Sequence, residues 1–165
     1  MVTFLLASLA LAGPPATDRV AGAPLSLGQE RVIPRALGAP TWSADGRTVV
    51  VARATDDGSE LVLFQRDLAG VWSPERVLVR DHHPDRPALD PEGRRLAYVA
   101  GPVAALWLLD LETGVHTQLT NTAPDRRPGE PPLGWLPVPH DGPPAFQGDT
   151  LVWQAHDGHH RLQLP

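Results

Sequence analysis

The apolar residues of this chain fall in short runs, and the runs are of two kinds. Val49-Val50-Val51-Ala52 and Leu96-Ala97-Tyr98-Val99 are apolar without interruption, whereas an antiparallel strand with one wet face alternates. Continuous runs of this length predict strands buried on both faces, as in a sheet held between two neighbouring sheets. Runs rich in Val, Leu and Phe, punctuated by Gly, Asp and Pro, predict a short-stranded all-β fold, and no stretch has helical periodicity. The predicted strands are 40–43, 48–52, 60–66 and 76–79, then 88–89, 95–100, 105–110 and 115–120, then 144–146, 151–155 and 161–164.

The same phrase precedes both continuous runs. Ala39-Pro40-Thr41-Trp42-Ser43-Ala44-Asp45-Gly46-Arg47 is followed 47 positions later by Arg86-Pro87-Ala88-Leu89-Asp90-Pro91-Glu92-Gly93-Arg94. A period of this length is that of one four-stranded propeller blade. Ser43 to Gly46 and Asp90 to Gly93 carry the residue preferences of type I turns, with glycine supplying the left-handed residue that rejoins the strand. A third copy begins at Pro144 and is two residues shorter, which keeps each side chain on its face; Gly148-Asp149 suits a two-residue type II′ turn. The expectation is therefore about three blades in residues 28–165. Residues 121–142, proline-rich and irregular, are expected to be an insertion over the face or rim.

A second repeat lies at an offset of 45. Glu30-Arg31-Val32-Ile33-Pro34-Arg35 matches Glu75-Arg76-Val77-Leu78-Val79-Arg80, the expected outer strand of blade one. The earlier copy is thus expected to be an outer strand with no blade of its own. The last blade, by contrast, has an inner, a second and a third strand. Two chains exchanging this strand would close a six-bladed homodimeric ring and remove the open edges of a three-blade arc.

Composition narrows the setting. Residues 1–12 are apolar apart from Thr3 and Ser8 and end in Ala10-Leu11-Ala12, which predicts a secretory signal peptide cleaved after Ala12; the run is too short to span a bilayer. Residues 13–27 are expected to be a flexible lead-in. There is no cysteine, hence no disulfide framework and no thiolate metal site. A formal charge of −5 with no basic stripe argues against nucleic acid.

The phrase Pro-x-aromatic-Ser-x-Asp-Gly-Arg before an apolar strand resembles the propeller repeats of the TolB-type family. Blade two extends the likeness with Leu108-Leu109-Asp110-Leu111-Glu112-Thr113-Gly114 and Gln118-Leu119-Thr120. The resemblance covers residues 30–120 well and 121–165 poorly. It implies a bacterial, exported, non-enzymatic propeller, in the periplasm or secreted, that serves as a protein-interaction platform with no cofactor. The family's type member has six blades and a separate amino-terminal domain, which the pattern here does not match.

Candidate chemistry is sparse. Of the seven histidines, His82-His83 and the group His156, His159 and His160 are the candidates for a metal such as zinc, manganese or nickel. Propellers of similar type occur in histidine-metal oligogalacturonate lyases, which sets a metal-dependent polysaccharide lyase as the alternative function; at least three of His82, His83, His116, His140, His156, His159 and His160 must then converge. The solvated-turn reading of these residues is favoured. Propellers of this type also accompany prolyl oligopeptidase-like hydrolases, but no Gly-x-Ser-x-Gly elbow is present. Asp56-Asp57-Gly58 reads as a hairpin turn and not a calcium loop. Trp42 and Trp107, on predicted strands, are expected in the core, and Trp72 and Trp135 are the candidate protein-contact residues.

Overall fold

The computed structural model describes residues 25–26, 32–101, 104–120, 139–155 and 158–165, and among them there are strands and turns but no helix. The expected signal peptide and most of the insertion, with Trp135, lie outside the described residues. Blade one is β3 (Ala36–Trp42), β4 (Thr48–Thr55), β5 (Gly58–Gln65) and β6 (Arg76–Val79), paired in that order and antiparallel throughout. Blade two is β7 (Asp85–Leu89), β8 (Arg95–Ala100), β9 (Ala105–Asp110) and β10 (His116–Gln118) in the same order. Blade three is β11 (Pro139–Gln147), β12 (Thr150–Ala155) and β13 (Gly158–Gln163). A two-residue pair, β1 (Leu25–Ser26) with β2 (Val32–Ile33), precedes them. Inner strand β7 lies between inner strands β3 and β11, so the three blades stand side by side. The all-β, four-stranded blade architecture is the one the repeat predicts.

Parity along the second strands explains the stacking. In β4, Val50 and Ala52 join Leu89, Leu96, Tyr98, Ala100 and Leu109 of blade two in one buried cluster, while Val49 and Val51 point the other way, against Ile33, Ala36, Val62 and Phe64. In β8 the alternate residues Ala97 and Val99 meet Leu151, Trp153 and Ala155 of blade three. Each second strand therefore contributes to two cores at once, and a period of two side chains per face turns an unbroken apolar run into two dry surfaces. Strand β12 differs: Leu151, Trp153 and Ala155 are buried against blade two, but Thr150, Val152 and Gln154 stay partly exposed on its far face.

The repeated turns have matching hydrogen bonds. The N–H of Gly46 donates to the Ser43 carbonyl at 3.0 Å and that of Gly93 to the Asp90 carbonyl at 3.0 Å, with both glycines left-handed at φ 68 and φ 72. Ser43 Oγ accepts from the Thr48 N–H at 2.9 Å, and the Asp90 carboxylate accepts from the Arg94 N–H at 2.7 Å. The two turns also touch, the Ala44 N–H donating to the Pro91 carbonyl at 2.8 Å, and the inner strands β7 and β3 are joined beside them by the Leu89 N–H donating to Thr41 Oγ1 at 2.9 Å. Asp110 supports the family-like phrase after β9, accepting from the Glu112 and Thr113 N–H groups at 3.0 and 2.7 Å. Gln147 pairs with Thr150 around Gly148-Asp149, with Gly148 at φ 60 as a type II′ turn requires.

Four details depart from the expectations. Pro139 and Asp141, within the expected insertion, already pair with β12, with register shifts on either side of Asp141; β11 is an edge strand, where proline costs no ladder bond. Leu25 and Ser26 fall within the expected lead-in yet form β1. Residues 32–33 are not a lone outer strand, because they pair with β1. Trp42, expected in the core, is 41% exposed.

Replacing Leu96, fully buried between blades one and two, tests the stacking. Leu96→Ala is expected to lower the free energy of unfolding by about 3 kcal/mol in a urea titration, whereas Gln154→Ala, on the far face of blade three, is expected to change it by less than about 0.5 kcal/mol.

Candidate interaction face

The exposure of Trp42 follows from its place in the repeat. Trp42 pairs with Val49 as Leu89 pairs with Leu96. Leu89 is buried because blade one covers it; Trp42 occupies the same position in blade one, and among the described residues no blade covers it. Its ring meets the edge of Trp72 at 6.0 Å and an interplanar angle of 61°. Trp72 is half-buried and packs on the cluster of Val49, Val51 and Phe64.

The β5–β6 connection holds Trp72 in place. Arg66 and Trp72 form an isolated antiparallel bridge, and between them Asp67 closes a tight turn, accepting from the Gly70 N–H at 3.1 Å and, through its carboxylate, from the Val71 N–H at 2.8 Å. Arg66 Nε donates to the Gly70 carbonyl at 2.7 Å, which sets its guanidinium 5.7 Å from the centre of the Trp72 ring, within cation–π range. Leu68 and Val71 at the turn are 84% and 61% exposed. Aromatic, arginine and aliphatic groups thus stand together on a rigid hairpin.

Among the described residues, Trp107, Tyr98, His83, His116, Trp153 and His160 have side-chain contacts within the blades. Trp107 is half-buried and lies nearly parallel to Tyr98, ring centres 6.4 Å apart. The Tyr98 phenol bonds to His116 Nδ1 at 2.9 Å, and burial pushes its pKa up to about 12, so it stays a protonated hydrogen-bonding group. His82 and His83 are both left-handed, φ 65 and φ 51, in the link between blades one and two. The His82 carbonyl accepts from the Gly101 N–H at 2.6 Å, and the His83 ring rests on Gly58, where an added Cβ would come within 1.8 Å of Nδ1. His159 and His160 are neighbours on β13 and so point to opposite faces; His160 stacks on Trp153 at 5.7 Å. His156 and the His140 side chain lie outside the described residues. Among the described residues no three His, Cys, Asp or Glu side chains are grouped to hold a metal ion.

A charge network around the buried Glu60 braces the outer half of blade one. Glu60 Oε1 accepts from Arg53 Nε at 2.8 Å and Glu60 Oε2 from Arg80 Nε at 2.9 Å, while Arg53 Nη1 also reaches Glu75 at 3.0 Å. Burial pushes the Glu60 carboxyl up, and the hydrogen bonds from Arg53 and Arg80 outweigh it, holding the group below its ordinary value. Arg53 is raised, first by its bond to Glu75. Every charge here is partnered, so the network is structural.

No protein-family model matches the sequence, and a search of curated proteins finds no match. Among solved structures, TolB from Acinetobacter baumannii superposes with a TM-score of 0.55 over 84% of this chain at 15% identity. The fold is that of a β-propeller segment. The chain spans 33% of the length of that TolB structure. A TolB-type protein from Agrobacterium tumefaciens (TM-score 0.43, 16% identity, 81% of this chain and 61% of that one) and acylaminoacyl peptidase from Pyrococcus horikoshii (0.43, 17%, 72% and 16%) are also similar. At 15% identity the likeness to the Acinetobacter structure establishes the fold and no activity.

Two predictions follow from the packing. Gly58→Ala is expected to destabilise the protein by about 2 kcal/mol in thermal melts, and adding His83→Ala is expected to recover part of that loss, because the ring and the new methyl compete for one space. Glu60 has a lowered pKa in the folded state, so its stabilisation is complete above its ordinary value of 4.5 and lost as pH falls through the folded value. Glu60→Gln is expected to cost about 2 kcal/mol at pH 7 and to flatten the fall in stability between pH 4.5 and the acid unfolding limit.

Proposed function

We propose that this chain is an exported, non-catalytic propeller segment that binds protein through the blade-one face bearing Trp42 and Trp72. The carrying observation is the exposed Trp42 ring, set edge-on to Trp72 beneath the Arg66 guanidinium, with Leu68 and Val71 beside it. Trp and Arg dominate the energetics of protein interfaces, and apolar groups held rigidly at a surface favour association with little ordering cost. Trp135, outside the described residues, is a second contact in this reading.

Export rests on residues 1–12, whose apolar run and small-residue end suit a cleaved signal. Among the described residues no helix is long and apolar enough to cross a membrane. The reading as a binding module also accords with the TolB-like fold, and the described histidines are each engaged in turns, stacking or edge positions instead of converging.

The test is affinity capture from a periplasmic extract with the tagged mature chain and with Trp42→Ala, circular dichroism confirming that both fold. A partner is expected to be retained by the parent chain and its affinity to fall at least about tenfold in the variant, the loss typical of removing an interface tryptophan. Equal retention by both proteins would overturn the assignment of this face.

A further inference from the structure

We infer that the segment bound at the blade-one hairpin is a peptide carrying an acidic side chain beside a large apolar one, its carboxylate received by the Arg66 guanidinium and its apolar group by Trp42, Leu68 and Val71. The inference rests on the protein-binding reading above and names the chemistry of what is bound.

The register of blade one brings the cations and the indoles together. Trp42 pairs with Val49, and Val49 with Phe64. One step beyond the Thr48–Gln65 pair, the Arg66 N–H donates to the Arg47 carbonyl at 2.7 Å, so the two arginines are cross-strand neighbours at the end of the blade that bears Trp42 and Trp72. The apolar floor beneath, Val49, Val51, Val62 and Phe64, is already sealed within the chain. What lies outside it is a rim of exposed groups on the hairpin, Trp42, Arg66, Leu68 and Val71. A short segment can lie on that rim without opening the floor.

The charges on the rim differ in what they are already bonded to. Asp45 Oδ1 accepts from the Ser43 hydroxyl at 2.6 Å and from the Arg47 N–H at 3.0 Å, and Asp67 Oδ1 accepts from the Val71 N–H at 2.8 Å. Both carboxylates fix turns. Elsewhere in the blade, Arg53 and Arg80 are committed to Glu60. Arg66 is the exception: its Nε donates to the Gly70 carbonyl, and it forms no ion pair among the described residues. Arg47, half exposed, approaches Asp45 at 3.9 Å. A guanidinium positioned over an indole presents its planar fork to a carboxylate, and the apolar groups around it strengthen the bond by excluding water. An anionic lipid surface is recognised by clusters of several Lys or Arg. Here two arginines stand beside two aspartates, a mixture that disfavours a uniformly anionic surface and suits a single carboxylate.

Selection of phage-displayed random peptides on the immobilised mature chain tests this, with Arg66→Gln and Trp42→Ala as variants whose folding is checked by circular dichroism. The parent chain is expected to enrich peptides in which Asp or Glu adjoins Trp, Phe or Leu. A selected peptide, synthesised, is expected to bind Arg66→Gln at least about tenfold more weakly. Exchanging its acidic residue for the amide is expected to cost as much on the parent chain and little more on Arg66→Gln, because both changes break one pair. The peptide exchange leaves the protein unaltered, so it reports even if Arg66→Gln disturbs the hairpin. Enrichment of apolar peptides without an acidic residue, or losses that add in full, would overturn the inference; if those peptides still lose binding to Trp42→Ala, the protein-binding reading stands without it. Recovery of no peptide, or binding to phosphatidylglycerol vesicles that Arg66→Gln abolishes, would overturn the peptide assignment. Peptides held equally by the parent chain and Trp42→Ala would overturn both.

Discussion

Burial of both faces of the second strands of blades one and two is the constraint on which the structure depends. Val49 to Ala52 and Leu96 to Val99 are strands with no wet side, so neither sheet is stable alone, and each needs a neighbour on each flank. A fully buried Val or Leu contributes about 1.5–3 kcal/mol, and these residues sit in layers where blade one, blade two and blade three share them. Blade two has a blade on each side. Blade one has its far face covered by Ile33 and Trp72, and blade three answers the same problem by making its far face partly polar.

The surface chemistry follows from that stacking. Trp42 is exposed at a position that is closed by a neighbouring blade at Leu89, so its local sequence does not decide its burial. The hairpin that carries Arg66 and Trp72 covers the apolar floor beneath and in doing so presents aromatic, cationic and aliphatic groups outward. Glu60, Arg53 and Arg80 brace the outer half of the same blade, and the left-handed His82-His83 link passes the chain to the next blade across Gly58. The His83 ring packs on Gly58 and the His160 ring on Trp153, so both are parts of this framework.

Much of the fold was legible from the repeat. Ser43 to Gly46 and Asp90 to Gly93 specify their turns by local hydrogen bonding and glycine φ, which sequence carries directly, and the unbroken apolar runs specify two-sided burial. What was not legible depends on distant neighbours. Trp42 resembles a core residue by propensity, and its counterpart Leu89 is indeed buried, so only the folded neighbours distinguish the two positions. The start of β11 at Pro139 was hidden by a proline-rich sequence that an edge strand tolerates, and the pairing of Val32–Ile33 with Leu25–Ser26 has no repeat to announce it. For the candidate site, Trp72 was legible as a residue outside the regular strands, but its contacts with Trp42 and Arg66 arise from the folded hairpin.

Hydrogen exchange resolved by residue tests the central claim most directly, since strands sealed on both sides open only when the stack comes apart. The amides of β4 and β8 are expected to exchange together, with the protection of the global unfolding reaction, while those of β6, β10 and β13 exchange faster by local opening. Exchange of β4 or β8 as fast as those outer strands, or at two unrelated free energies, would contradict an architecture in which the blades are held by shared cores.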